Sequence, residues 1–152
     1  AVYRKGVYVG GINASPTATS YATSSDYRLK ENITPVQGAA DIVKAMQPVT
    51  YTFKADSDDW HDGFLAHELQ ELHPRAVIGE KDAMRDEEYE VTPAVLDENG
   101  AVVTEAVMGT RSVPDYQGVD YSKLTPILTA ALQEALNKID ALEARLTALE
   151  AL

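Results

Sequence analysis

Cysteine is absent from the 152 residues, which excludes a disulfide framework and thiol chemistry. That suits a reducing compartment. Positive charge is scarce: 13 Lys and Arg stand against 24 Asp and Glu, for a net charge of −11. Such acidity argues against a nucleic-acid-binding surface. No apolar run approaches the roughly 20 residues of a membrane span, and the N-terminus lacks the apolar centre of a signal peptide. Histidine is limited to His61, His67 and His73, spaced six apart. A helix turns positions six apart onto different faces, so local geometry does not gather them around a metal. His67-Glu68-Leu69-Gln70-Glu71 resembles a zinc-protease helix in outline, but Glu71 stands where the second histidine is required. Asp97-Glu98-Asn99 lacks the other ligands of a calcium loop and reads as a turn. Gly10-Gly11 is too isolated to form a phosphate loop. Neither a metal nor a cofactor is expected.

What is present suits one ordinary domain, or one small domain with appendages. The hydrophobic fraction of 45% is that of a folded protein. Residues 1–23 differ from the rest. Val2-Tyr3 and Val7-Tyr8-Val9 are β-prone and punctuated by glycine, and Asn13 to Thr23 is polar, small and unsuited to making a core. Gly38 to Met46 places apolar residues at 39, 42, 43 and 46, the spacing of a short amphipathic helix. Val49 to Phe53 alternates as a strand. Asp56 to Asp62 reads as an acidic loop, Gly63 to Ala66 as a short strand, His67 to Leu72 as a helix and Ala76 to Ile78 as a strand. Lys81 to Glu88 reads as an exposed charged loop. Asn99-Gly100 between the β-prone runs Tyr89–Val95 and Ala101–Val107 predicts a hairpin.

The last thirty residues carry a heptad pattern. Leu132, Ile139 and Leu146 fall at a, with Leu128, Ala135, Leu142 and Leu149 at d. Thr125-Pro126 suits a helix start. Lys138 at g can meet Glu143 at e of a neighbouring chain, and Arg145 can meet Glu150, which favours parallel association. An amphipathic helix lying on its own domain is the alternative, and the a and d residues do not choose an oligomer number.

Ser24-Ser25-Asp26-Tyr27-Arg28-Leu29-Lys30-Glu31-Asn32-Ile33 is the stretch with chemical potential. A serine hydroxyl needs a base, and a desolvated lysine can be one, so Ser25 and Lys30 could form a minimal acyl-transfer dyad. The spacing by itself is equally that of a Ser/Asp turn leading into a basic strand. On a strand, Asp26, Arg28, Lys30 and Asn32 would line one side. Arg28 would then favour neutral Lys30 by like-charge repulsion, while Asp26 and Glu31 would oppose it.

The wording of this stretch resembles the opening of the intramolecular chaperone domain at the C-terminus of phage tailspikes and tail fibres. Endosialidase tailspikes and L-shaped tail fibres carry that domain, and myelin regulatory factor has a related one. Gly63-Phe64-Leu65-Ala66-His67-Glu68-Leu69-Gln70-Glu71-Leu72 is similar to its second block, and Tyr121-Ser122-Lys123-Leu124-Thr125-Pro126-Ile127-Leu128 to its third. The resemblance implies a small α+β domain of short strands and helices, followed by a long helix in a parallel trimeric coiled coil. It implies residues 1–25 as the end of an upstream fibre or spike, β-structured and then flexible, 26–121 as the chaperone and 122–152 as the coiled-coil helix.

The implied activity is single-turnover autoproteolysis by Ser25 and Lys30, with Arg28, Asn32, His67 and Glu68 in support. The implied partners are two further copies of the chain and its own upstream domain, with no nucleic acid and no membrane. The implied setting is the host cytoplasm during phage assembly, with the upstream part ending in the virion tail and the chaperone released. The resemblance puts the cut at Ser25–Asp26. A serine attacking its own carbonyl closes a four-membered ring and attack on the preceding one closes a five-membered ring. So either the cut lies at Ser24–Ser25, the runner-up, or Ser25 of one chain acts on another, or Ser25 activates water. Two other functions compete. One is a non-cleaving trimerisation or receptor-binding tip of the same fold. The other is the self-cleaving domain of a membrane-bound transcription factor, opposed by the lack of a transmembrane segment and of a basic DNA-binding region.

Overall fold

The computed structural model describes residues 1–151. The chain divides into two compact units, Ala1–Pro35 and Val36–Leu152.

The first unit is an antiparallel sheet, β1 (Val2–Arg4), β2 (Val7–Ala14) and β3 (Thr19–Thr23), in that spatial order. Arg4 pairs with Val7, leaving Lys5 and Gly6 as a two-residue turn. Both have positive φ, 49° and 79°, as the tight turns that match strand twist require. The Ser/Thr-rich segment is more ordered than its composition suggests, because Thr19–Thr23 pairs with β2 from Ala14 to Gly10. β-Branched threonines and Tyr21 favour that pairing. Even so the sheet makes no core: Gly10 is the one fully buried residue of this unit among those described.

The second unit is a mixed α+β domain. Its elements are α1 (Ala39–Ala45), β4 (Val49–Phe53), β5 (Asp56–Gly63), α2 (Ala66–Leu72), β6 (Val77–Ile78), β7 (Met84–Thr92), β8 (Val95–Leu96), β9 (Val102–Thr104), β10 (Val107–Pro114), β11 (Gly118–Val119) and the 27-residue α3 (Leu124–Glu150). Each strand pairs antiparallel with one partner: β4 with β5, β6 with β11, β7 with β10 and β8 with β9. Ala39, Met46, Leu69, Ala76, Leu124, Ile127 and Ala131 form the buried core, flanked by Ile42, Val43, Phe64, Leu72, Val77 and Val119. The periodic apolar face of α1 thus packs on the first turns of α3. The Glu134 carboxylate caps α1 by accepting from the Ala39 and Ala40 amides at 3.1 and 3.0 Å.

Several expectations are met. Helices form at Ala39–Ala45 and Ala66–Leu72, strands at Val49–Phe53 and Val77–Ile78, and a hairpin at Asn99-Gly100. Asp97 organises that turn, its carboxylate accepting from the Asn99 and Ala101 amides at 2.8 and 2.9 Å. Others need correction. The acidic loop Asp56–Asp62 is instead strand β5, because its aspartates stay in solvent while the backbone pairs with β4 and Thr50 Oγ1 donates to Asp62 at 2.7 Å. The strand at Gly63–Ala66 is only the end of β5, since Leu65 already caps α2. Much of the charged loop Lys81–Glu88 is strand, stabilised across the ladder by Arg111, which donates to Glu87 at 2.8 Å and lies 5.1 Å over the Tyr89 ring. The last helix does not start at Thr125. A 3-10 turn over Tyr121–Lys123 precedes it, and Asp120 caps that turn by accepting from the Ser122 amide at 3.1 Å.

Candidate functional site

β3 ends at Thr23, and the next amide, that of Ser24, still donates to the Val9 carbonyl at 3.2 Å. The sheet therefore holds the backbone up to the residue before Ser25. The chain then turns instead of continuing as a strand. Tyr27–Leu29 is a 3-10 turn with Asp26 at its N-cap, and the Leu29 and Lys30 amides donate to the Asp26 and Tyr27 carbonyls at 3.1 Å. The strand on which Asp26, Arg28, Lys30 and Asn32 would share a face does not form, and the Ser/Asp turn does, for a local reason: the Asp26 carboxylate accepts from the Arg28 amide at 2.9 Å, and a short acidic side chain bonding its own backbone competes with extended structure.

The turn separates the charged residues into two pairs. Lys30 Nζ donates to Ser25 Oγ at 2.7 Å. Arg28 does not sit on Lys30 as its like-charge neighbour; it grips Asp26, with Nε on Oδ1 at 2.9 Å and Nη2 on Oδ2 at 2.7 Å. The guanidinium hydrogen bonds hold the Asp26 carboxyl below the usual carboxylate range, and the amide bond from Arg28 adds to the effect. Asp26 in return favours the charged form of Arg28. Asn32 has φ 51°. That left-handed conformation is one asparagine tolerates better than most residues.

Ser25 and Lys30 are exposed and border a surface groove of about 370 Å³, which Val7, Tyr8, Val9, Ser24, Asp26 and Leu29 also line. An amine in contact with a hydroxyl can carry one proton exchange. The ammonium donates to the hydroxyl oxygen, and the free amine accepts from the hydroxyl and leaves the oxygen nucleophilic.

The other expected residues lie in the second unit. His67 and Glu68 are half-buried in the first turn of α2. His61 lies on β5, 3.3 Å from an Asp59 carboxylate oxygen, and His73 closes α2. The heptad residues Leu128, Leu132, Ile139, Leu142, Leu146 and Leu149 are 47 to 67% exposed along α3, and Ala135 is exposed with them. A different face of the same helix, with Leu124, Ile127 and Ala131, is used within the chain. Sequence reasoning missed the Val9 carbonyl, which pins Ser24 from another strand, and the contact of Tyr121, named in the third block, whose hydroxyl lies where a Cβ on Gly63 would have to go. Neither has a local sequence signal, because each contact joins distant segments.

The fold and site together define a small α+β domain with a long C-terminal helix, preceded by a serine–lysine contact at the edge of a β-sheet. Residues 25–78 match the model of the Peptidase S74 family, described as chaperone of endosialidase, which bears out the resemblance read from the sequence. No curated protein sequence matches the chain. Among solved structures, the carboxy-terminal domain of the bacteriophage T5 L-shaped tail fibre with its intramolecular chaperone domain has the same fold, with a TM-score of 0.55 at 14% identity. The alignment covers 93% of this chain but only 35% of that one, so this chain spans about a third of the T5 fragment. A second structure, of a novel intramolecular chaperon, aligns with 75% of this chain and 99% of its own at 18% identity, with a TM-score of 0.46.

Proposed function

We propose that this chain is a self-cleaving intramolecular chaperone that assembles as a trimer and guides an upstream phage fibre or tailspike. In this reading residues 1–25 end the upstream structure, 26–121 form the chaperone and 122–152 its coiled-coil helix. The observation that carries the reading is the 2.7 Å contact between Lys30 Nζ and Ser25 Oγ, at the residue where the family match begins.

Neutral Lys30 takes the proton of the Ser25 hydroxyl, and Oγ attacks a backbone carbonyl. The tetrahedral oxyanion collapses as the C–N bond breaks, and the leaving amine receives the proton from the Lys30 ammonium. Water then hydrolyses the ester, restoring the hydroxyl and releasing a carboxylate. Ser25–Asp26 remains the favoured bond from the resemblance, cut by Ser25 of a neighbouring chain or by water that Ser25 activates, since a serine attacking its own carbonyl would close a four-membered ring. Ser24–Ser25 is the runner-up because its carbonyl closes the five-membered ring.

Support for assembly comes from the two faces of α3. One is used inside the chain, and the heptad face is left open. Burying the exposed half of six large side chains returns on the order of 5–9 kcal/mol per chain. The sheet of the first unit buries no side chain fully, so it needs neighbouring copies to stabilise it. Three chains joined at their C-termini search for β-register at high effective concentration, which relieves slow, non-local pairing. Cleavage then removes the route back and leaves the mature fibre kinetically trapped.

The test is the intact mass, under denaturing conditions, of the wild-type, Ser25→Ala and Lys30→Ala chains. Two wild-type fragments meeting at residue 25, with both variants whole and still trimeric, are the expected result. A whole wild-type chain would replace this reading by a permanent trimerisation or receptor-binding tip. A Lys30→Ala chain that still cuts would remove Lys30 from the mechanism.

A further inference from the structure

We infer that Asp26 and Arg28 are positioning residues for self-cleavage: their ion pair closes the turn that sets Lys30 against Ser25, and the reaction rate depends on that closure. The inference rests on the proposed dyad and adds to it a control that neither dyad residue supplies.

Lys30 lies five residues after Ser25. In an extended strand that separation spans roughly 16 Å at about 3.3 Å per residue, and the two side chains would project from opposite faces. Their contact requires the chain to fold back between them. Most of the bonds that fold it back involve Asp26: its carboxylate holds the Arg28 amide and guanidinium, and its carbonyl holds the Leu29 amide, while the Lys30 amide closes the same turn on the Tyr27 carbonyl. Arg28 therefore acts on Lys30 through Asp26, by geometry. Direct repulsion between the two cations is offset by the opposite charge of Asp26, which Nε and Nη2 of the Arg28 guanidinium both hold.

The two mechanisms make opposite forecasts for pH. If Arg28 worked by favouring neutral Lys30, its removal would move the pH–rate profile to higher pH. If it works by closing the turn, its removal lowers the rate at every pH and leaves the midpoint in place. The contact is exposed, so the turn loosens without unfolding a core.

The experiment follows fragment formation by intact mass across a pH series. It uses wild-type, Asp26→Ala, Asp26→Asn, Arg28→Ala and Arg28→Lys chains, with Ser25→Ala as the reference and sedimentation reporting assembly. Asp26→Ala and Arg28→Ala should slow cleavage by about ten- to a hundredfold, the usual effect of misplacing a reacting group, with assembly and midpoint unchanged. Asp26→Asn keeps an acceptor for the Arg28 amide, and Arg28→Lys keeps a cation, so each should recover part of the rate. Wild-type rates in Asp26→Ala and Arg28→Ala, or a displaced midpoint in Arg28→Ala, would overturn the inference while leaving the dyad standing. A failure of conservative variants to recover any rate would overturn it too. Cleavage by the Ser25→Ala chain would instead defeat the dyad itself, so the two failures are distinct.

Discussion

At Asn32 a backbone conformation and a chemical role make different demands on the side chain. With φ 51°, glycine should serve as well as asparagine, whereas a β-branched residue carries a left-handed penalty of about 1–2 kcal/mol. Asn32→Gly should therefore cleave at the wild-type rate and Asn32→Val more slowly, read from fragment formation. A slow Asn32→Gly chain would show that the amide takes part in the chemistry. Gly63 poses a packing question of the same size. A Cβ there would run into the Tyr121 hydroxyl and come within 3.2 Å of the Tyr51 ring. Gly63→Ala should cost about 1–3 kcal/mol in urea unfolding, and Tyr121→Phe in the same chain should restore part of it. The second and third family-like blocks meet at this contact, which assigns Gly63 and Tyr121 to the architecture of the domain. The serine–lysine contact lies in the first block.

Among the elements, α1 depends on a residue far along the chain. It is short, has Gly38 at its N-cap with no side-chain bond, and takes its capping acceptor from Glu134 of α3. Glu134→Ala leaves two amides without that partner and should cost about 1 kcal/mol, measured by urea unfolding, while Glu134→Gln keeps one acceptor and should cost less. The turns at Asp120 and Asp97 and the β7–β10 ladder at Glu87 depend on carboxylates. Side-chain bonding to Ser122 lowers the Asp120 carboxyl, amide bonds from Ala101 and Asn99 lower that of Asp97, and Arg111 lowers that of Glu87. A carboxyl depressed in the folded state adds stability that is fully present above its unfolded value. That stability is lost as pH falls through the folded value. Thermal stability should thus hold at neutral pH and fall on acidification below the ordinary carboxylate range, near pH 4. Asp120→Asn should flatten that fall, and an identical acid slope would discount the Asp120 cap.

For the whole molecule, the open heptad face is the feature with the largest energetic consequence. In the proposed coiled coil, burying it would return several kcal/mol per chain, of the same order as the cost of association, so losing a third of it should be felt. Replacing Leu142 and Leu146 together by glutamine should weaken assembly, seen by light scattering, before it alters the chemistry at Ser25. An unchanged trimer would contradict the coiled coil. Both residues are exposed, at 49 and 56%, and neither belongs to the core of the second unit. The folded chain therefore tolerates the change.

Sequence alone determined what depends on neighbours a few residues apart. The apolar spacing of α1, the heptads of α3, the Asn99-Gly100 turn and the Ser25–Lys30 stretch are all legible because their physics is periodic or local. Charge misled where solvent decides. Asp56–Asp62 and Met84–Glu88 carry too many acids for a simple strand reading, yet pair well because the charged face stays wet. Arg28 and Lys30 are interchangeable in a list of basic residues, and the local turn at Asp26 sends one to a carboxylate and the other to a hydroxyl. Tertiary structure decided that Val9 anchors Ser24 and that Glu134 caps α1. Such contacts join segments far apart in the chain, and only folding brings their atoms within hydrogen-bonding distance.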